Sequence, residues 1–421
     1  ESVNRLARHY ARYLPVSINI AHDGGSRNIT EHPPFFSDDP ATLLEFGTEL
    51  LGTKPFAIVP IDIPLTGTKG AAFILPHPVP PNAGGSHQVY CNRMLVSQRC
   101  REIAPEWAFF ARVVIDSTSL NPTASREGLI DDPVLGTTRD AIGAILREWI
   151  LEMAKSDPFY LETFVAVHYL GLKSLAVYDD EIAPAIIRLL PMETSRGMRT
   201  IGEIVSQSPE ISYVPTTDQF RQVNALGSVR QLVVNATYTW DAEVLRRLPD
   251  LIPGVKVTEI STADVLDRLD PVDNADRPAA VSFEKRANSA LQDFDAASAV
   301  RIAGSGDMPS FLLTDPNLLR RSERDKAREN GGSRWASILD RLDDVTAERD
   351  SQPGTTVLLN WANSLVRRLA DINDEVIFAR SIRLLHLQAV LATGRPLTSA
   401  ENETLTETLG DLMLLGLSEG N

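Results

Sequence analysis

The segments that decide the fold are His87-Gln-Val-Tyr-Cys-Asn-Arg-Met-Leu-Val96, Ile103-Ala-Pro-Glu-Trp107, Phe110-Ala-Arg-Val-Val-Ile-Asp-Ser117 and Leu120-Asn-Pro-Thr-Ala-Ser-Arg-Glu-Gly-Leu129. The runs 88–96 and 109–116 are rich in β-branched and aromatic residues and read as strands. Working upstream, 57–65 and 70–75 read as two more strands, separated by the turn Thr66-Gly67-Thr68-Lys69. Before them, Asp38 or Asp39 can cap a helix that has Pro40 in its first turn and Leu43, Leu44, Phe46 and Leu50 as core residues. Residues 22–40 are a polar loop, 14–20 an apolar strand and 1–12 a helix. Helix and strand alternate in the manner of an α/β or α+β layer fold.

Downstream the period changes. Ile142, Ile145, Trp149 and Met153 recur every three or four residues, which predicts a helix over 137–155, with more helix through Leu190. Strand 231–235, helix 240–248 and strand 255–260 form a βαβ pattern. The polar region 262–295 reads as a boundary, followed by strands at 298–302 and 311–313 and a charged helical stretch over 318–351. Asn373 can cap a helix that runs to Thr393 and is ended by Gly394. Thr398-Ser-Ala-Glu401 is a capping-box pattern opening a last helix, with Leu405, Leu409, Leu412 and Leu415 along one stripe. A long apolar stripe at the end of a chain calls for a partner, and a second copy is the simplest one.

A chain of 421 residues exceeds a single ordinary core and implies two or three domains. Its net charge of −15 argues against a nucleic-acid backbone as main partner. No apolar run reaches the roughly 20 residues that cross a bilayer, and no signal-peptide apolar region follows Glu1. Cys91 and Cys100 read as free, buried thiols. Histidines 9, 22, 32, 77, 87, 168 and 386 are scattered without metal-ligand spacing, so no metal is expected. Phosphate-loop, dinucleotide-binding and nucleophile-elbow patterns do not occur, and Gly84-Gly85-Ser86 reads as a flexible loop. Taken by motif alone, the residues describe a scaffold or interaction protein.

The segments quoted first, about 40 residues without an insertion, resemble the middle-domain signature of the heat-shock protein 90 family of chaperones, in its bacterial HtpG class. That signature runs from a Gln-Leu-Tyr-Val strand through a Pro-Glu-Trp turn and a Val-Val-Asp-Ser strand to a loop ending in Asn-x-Ser-Arg-Glu. In the tail, Leu358-Leu-Asn-Trp-Ala-Asn363 with Leu365-Val-Arg-Arg368, and the two last helices, resemble the family's C-terminal domain. The resemblance implies an α/β and α+β multidomain protein. Residues 1–130 would be the large α/β (ribosomal-protein-S5-like) part of the middle domain, 131–195 a helical connector, 196–262 a small α/β part, and 275–421 a mixed α/β dimerisation domain ending in a helix pair. The ATP-binding domain, with its Asp-x-Gly-x-Gly element, would precede all of this. ATP and Mg2+ would sit on that domain, and none would be bound by these residues.

The resemblance further implies an ATP-dependent, cytoplasmic chaperone active in protein folding under stress. It would be a homodimer that binds unfolded or partly folded clients, with neither nucleic acid nor membrane as partner. Arg126 would carry a permanent, planar positive charge to the γ-phosphate in trans, with Thr123 and Ser125 beside it. Such an arginine contributes about 10³–10⁵ in rate in other phosphoryl-transfer systems. Leu385, Leu405, Leu409, Leu412 and Leu415 would form the dimer contact. Leu318 and Leu319 would meet clients, on a helix far more charged here than in the family. Two further departures touch the loop: Thr123 stands where the family has Asn, and Ile130, which cannot donate a hydrogen bond, stands where it has Gln. They motivate an alternative, a catalytically weak relative that acts as a dimeric protein-binding scaffold.

Overall fold

A computed structural model describes residues 2–22, 25–80, 85–125, 127–226, 232–294, 296–304, 306–314, 355–394 and 396–418. The charged stretch 318–351, including Leu318 and Leu319, lies outside them. The chain is a multidomain mixed α/β protein and divides into two compact units, residues 1–191 with 200–203, and 192–199 with 204–421.

The first unit is built on a five-stranded sheet in the order β3-β4-β7-β5-β6. The strands are β3 (Ala57–Ile63), β4 (Thr68–Ile74), β5 (His87–Cys91), β6 (Met94–Cys100) and β7 (Ala111–Ser117). Neighbours are antiparallel except β5 and β7, which run parallel. The segment read as one strand over 88–96 is a hairpin. Asn92 and Arg93 have φ of 50° and 65°, the two positive values that a two-residue type I′ turn requires. The Arg93 N–H donates to a carboxylate oxygen of Asp116 at 2.6 Å, tying this turn to the end of β7.

Before the sheet come α1 (Ser2–Ala11), the short hairpin of β1 (Asn19–His22) with β2 (Gly25–Asn28), and α2 (Pro40–Leu51). Asp39 is the cap of α2, accepting from the N–H groups of Ala41 and Thr42. Tyr13, Phe35, Phe73, Tyr90 and Leu95 form one apolar cluster of this unit, with Phe46 of α2 packed on it. The long helices α3 (Pro133–Ser156) and α4 (Pro158–Tyr178) meet at Asp157, which closes α3 and caps α4 through the Tyr160 N–H. They bring Phe164 to 5.1 Å from Phe110 and Tyr160 to 4.5 Å from Phe56, ring centre to ring centre. Gly171 lets α4 come this close, since a Cβ there would fall 2.1 Å from the Phe109 ring.

The second unit contains a five-stranded sheet in the order β12-β10-β11-β8-β9 and a three-stranded sheet β13-β15-β14. The βαβ pattern is present as β11 (Val233–Asn235), α8 (Asp241–Leu251) and β12 (Lys256–Glu259). Its strands are not neighbours, because β10 (Glu210–Val214) lies between them, parallel to both. The hairpin of β8 (Pro191–Thr194) and β9 (Gly197–Thr200) completes this sheet; in sequence the short helix α5 (Ala183–Ile186) precedes β8, and α6 (Ile201–Gln207) and α7 (Thr217–Ala225) stand on either side of β10.

Residues 262–295, read as a boundary, contain α9 (Thr262–Asp267) and α10 (Arg277–Ala290), and α10 buries Ala280, Phe283, Ala287 and Ala290. In the smaller sheet, β15 (Thr355–Asn360) runs parallel to β13 (Ala296–Arg301) and antiparallel to β14 (Ser310–Thr314). Asn360 is fully buried at its end. It donates to the carbonyls of Ala303 and Met308 and accepts from the N–H groups of Ala303 and Ala362. Three helices follow: α11 (Ser364–Ala370), α12 (Glu375–Ala392) and α13 (Ser399–Ser418). Asp374, and not Asn373, caps α12, and Gly394, with φ of 80°, follows its end. The capping box of α13 is formed, with the Glu401 N–H donating to Thr398 and the Thr398 N–H to Glu401.

Candidate functional site

The loop 118–132 leaves the C-terminal end of β7 and enters α3, and its stems are built from buried polar groups. Ser117 is fully buried. Its hydroxyl donates to the Thr66 carbonyl at 2.9 Å and accepts from the N–H groups of Ser119 and Leu120. Leu120 is buried next to it. On the other stem, Asp132 caps α3 by accepting from the Leu135 N–H at 2.9 Å, with Pro133 pre-set for the first helical position. The Asn121 side-chain amide donates to the same carboxylate at 2.9 Å and joins the two stems. That bond, followed by the backbone bond from Leu135, holds the Asp132 carboxyl below the ordinary carboxylate range.

Between the stems the chain pairs with itself. The Ile130 N–H donates to Asn121 at 2.8 Å and the Thr123 N–H to Gly128 at 2.9 Å, around an antiparallel bridge between Pro122 and Leu129. The Thr123 hydroxyl lies 3.1 Å from that of Ser125 and 3.3 Å from the Gly128 carbonyl. Both hydroxyls therefore have hydrogen-bond partners inside the loop. Ile130 is 47% exposed beside this ladder. Arg126, the residue that the resemblance places in catalysis, lies outside the described residues.

The sequence reading missed the groups that hold this loop: Ser117, Asn121 and Asp132. One of them was legible, because Asp132-Pro133 before an apolar-periodic run is a helix-start signature. The Ser117 and Asn121 bonds depend on which strand and stem lie alongside, and no local pattern announces them.

The residues predicted for dimerisation divide. Leu385 is 4% exposed and belongs to the core of its own unit, together with Phe283, Trp361, Phe378 and Ile382. It is a core residue of α12. Leu405 is half-buried and Leu409 is 37% exposed on α13. Leu412 and Leu415 are on the same helix, but their side chains lie outside the described residues. Cys91 and Cys100 are free and buried, and burial pushes their thiols up to about 11 and about 12. Among the described residues no cluster of three or more His, Cys, Asp or Glu side chains could hold a metal. Nor is any helix among them long and apolar enough to cross a membrane.

No family model matches the chain. Similar proteins do exist, all named "Chaperone protein HtpG". The one from Pectobacterium atrosepticum is 23% identical over 333 residues, which covers 72% of this chain and 49% of the relative. That from Klebsiella pneumoniae is 25% identical over 325 residues, with the same coverage of 72% and 49%. That from Desulfitobacterium hafniense is 29% identical over 118 residues, 28% of this chain and 19% of the relative. In the longest of these matches the chain spans about half the length of its curated relatives. The quoted segments around 87–129 and these matches point the same way: the chain is similar, at 23–29% identity, to the HtpG chaperones of the heat-shock protein 90 family.

Proposed function

We propose that this chain supplies the nucleotide-facing loop and the pairing helices of an ATP-driven chaperone that handles partly folded proteins in the cytoplasm. The observation that carries the reading is the construction of loop 118–132. A buried serine, a capped helix and a two-rung ladder hold both stems of the short segment that includes Arg126. A guanidinium stabilises phosphoryl charge only if it arrives in a fixed place, and a clamped stem provides that. ATP and Mg2+ belong to an ATP-binding domain outside this chain, and when bound they supply the phosphoryl group and its counter-charge. The chain's own part is to hold a positive charge ready and to keep the loop shaped through Thr123, Ser125 and Asn121. Dimerisation is assigned to α13, through Leu405, Leu409, Leu412 and Leu415.

The test is Arg126→Ala in a protein that includes the ATP-binding domain. Turnover of ATP falls at least about tenfold, less than the full effect of such arginines elsewhere, while nucleotide affinity and dimer mass stay near those of the parent. Unchanged turnover removes Arg126 from the mechanism. Ile130 supports a second reading, because a half-exposed aliphatic group stands where a hydrogen-bond donor would assist the phosphate. In that case the protein is a dimeric scaffold with little hydrolysis, and parent turnover matches a blank without enzyme.

A further inference from the structure

The turn Pro105-Glu106-Trp107 has a part beyond joining β6 to β7. Together with α3 it walls a cleft of about 890 Å³, within the roughly 300–1,000 Å³ of sites that enclose a ligand. Its floor is tight. A Cβ at Gly143 would lie 2.9 Å from the Pro105 ring and 3.6 Å from the indole of Trp107. The indole is half-buried. The cleft opens near the start of β7, whereas loop 118–132 leaves its end. Seven strand residues, roughly 20 Å, separate the two.

The charges around the cleft are not equivalent. Arg147 is engaged: it meets Asp179 at 2.8 Å and its guanidinium lies 5.9 Å from the centre of the Trp107 ring. Arg139, one helical turn before Gly143, and Arg101, just past the end of β6, line the cleft from different elements. Neither has a hydrogen bond or ion pair among the described residues. Arg139 is moreover half-buried, and a cation that has lost part of its water without gaining a counter-ion is left undercompensated. Glu102, Glu106 and Asp140 line the same cleft and are exposed. They would repel a polyphosphate or nucleic-acid strand. A single carboxylate set beside a flat side chain satisfies both conditions, and charges of both signs along the walls suit a chain whose neighbouring residues continue past the site.

We propose that this cleft binds a short segment of a partner protein that presents one carboxylate next to an aromatic ring, the carboxylate on Arg139 or Arg101 and the ring against Trp107. The assignment does not depend on ATP turnover or on dimerisation.

The test measures fluorescence anisotropy of a labelled octapeptide with Glu-Phe at its centre and Gly and Ser around it, titrated with the whole chain. Binding is saturable, and the same peptide with Gln for Glu binds about tenfold more weakly. Arg139→Ser or Arg101→Ser, whichever holds the carboxylate, weakens binding at least about fivefold, Trp107→Leu weakens it as well, and Arg188→Ser, at an exposed position outside the cleft, leaves it unchanged. Arg139→Ser keeps the melting temperature of the parent, which separates lost binding from lost folding. Absence of saturable binding, equal affinity for the Gln peptide, or no effect of either arginine overturns the proposal. So does displacement by N-acetylphenylalanine at the affinity of the peptide, which would make the cleft a small-molecule site.

Discussion

Between the first sheet and α4, Phe110, Phe164 and His168 pack ring against ring at 5.1–5.9 Å, each of them almost wholly buried. Between α12 and α13 the contacts have a different character. Arg380 meets Asp411 at 2.7 Å with both side chains a third or more exposed, and His386 lies 3.9 Å from Glu401. The first junction is dry and irreplaceable in shape. The second is wet at Arg380–Asp411, whose charges are screened, while His386 and Glu401 beside it are buried. A dry aromatic junction fixes a unit's internal geometry at high cost to any change. A polar helix pair keeps its outer face adjustable, as a surface that meets a partner requires.

The largest expected effect breaks the dry junction. Phe164→Ala removes a fully buried ring from among Trp149, Phe110 and Phe56 and costs about 3–5 kcal/mol by cavity formation. Denaturant unfolding followed by hydrogen exchange locates the loss in the first unit. A loss under about 1 kcal/mol, the range of exposed ion pairs, would contradict the contrast between the junctions.

Acid acts on the same unit. His87 accepts the Val113 N–H through Nδ1, which only a neutral ring can do, and His168 donates to the Leu75 carbonyl through Nε2. Burial lowers each from the usual 6.5 to about 4, with Arg112 adding to the effect at His87. The unfolded chain therefore binds protons that the folded one refuses. Stability is complete above about 6.5 and is lost as pH falls from there towards 4, by up to about 3 kcal/mol per histidine. Asp116 opposes this, because burial raises its carboxyl and the fold gains from its protonation at the low end. Unfolding midpoints at pH 7.5 and 5 should differ, and His87→Gln with His168→Gln should flatten the difference.

The smallest effect concerns the wet junction. Arg380→Ala changes overall stability by less than about 1 kcal/mol, while amides of α13 exchange faster. If it shifted the whole chain's unfolding as far as Phe164→Ala does, α13 would belong to the core after all.

How far the sequence disclosed this follows from whether each signal is local. The helix starts at Asp39-Pro40, Asp132-Pro133 and Thr398 carry their caps in adjacent residues, and all three caps are present. The hairpin turn at Asn92-Arg93 was hidden because an arginine stands where glycine usually marks positive φ. Helix α10 was read as a boundary because its apolar side is mostly alanine, with Phe283 the one large side chain among its buried residues. Strand β10 went unread, and with it the spacing of the βαβ strands, since only tertiary pairing inserts it between β11 and β12. Of the candidate site, the loop and its flanking motif were legible, whereas the burial of Leu385 was not. A leucine on an amphipathic stripe looks the same whether it faces its own core or a second copy.

The parallel pairing of β5 with β7 has a consequence for how the chain is made. As it leaves the ribosome, β3 and β4 appear first, and β4 has an open edge until β7 is synthesised much later. The hairpin β5–β6 can close by itself in that interval, but it has nowhere to dock. A protein whose relatives are named chaperones thus passes through its own birth with an unsatisfied strand edge, the kind of surface on which nascent chains aggregate.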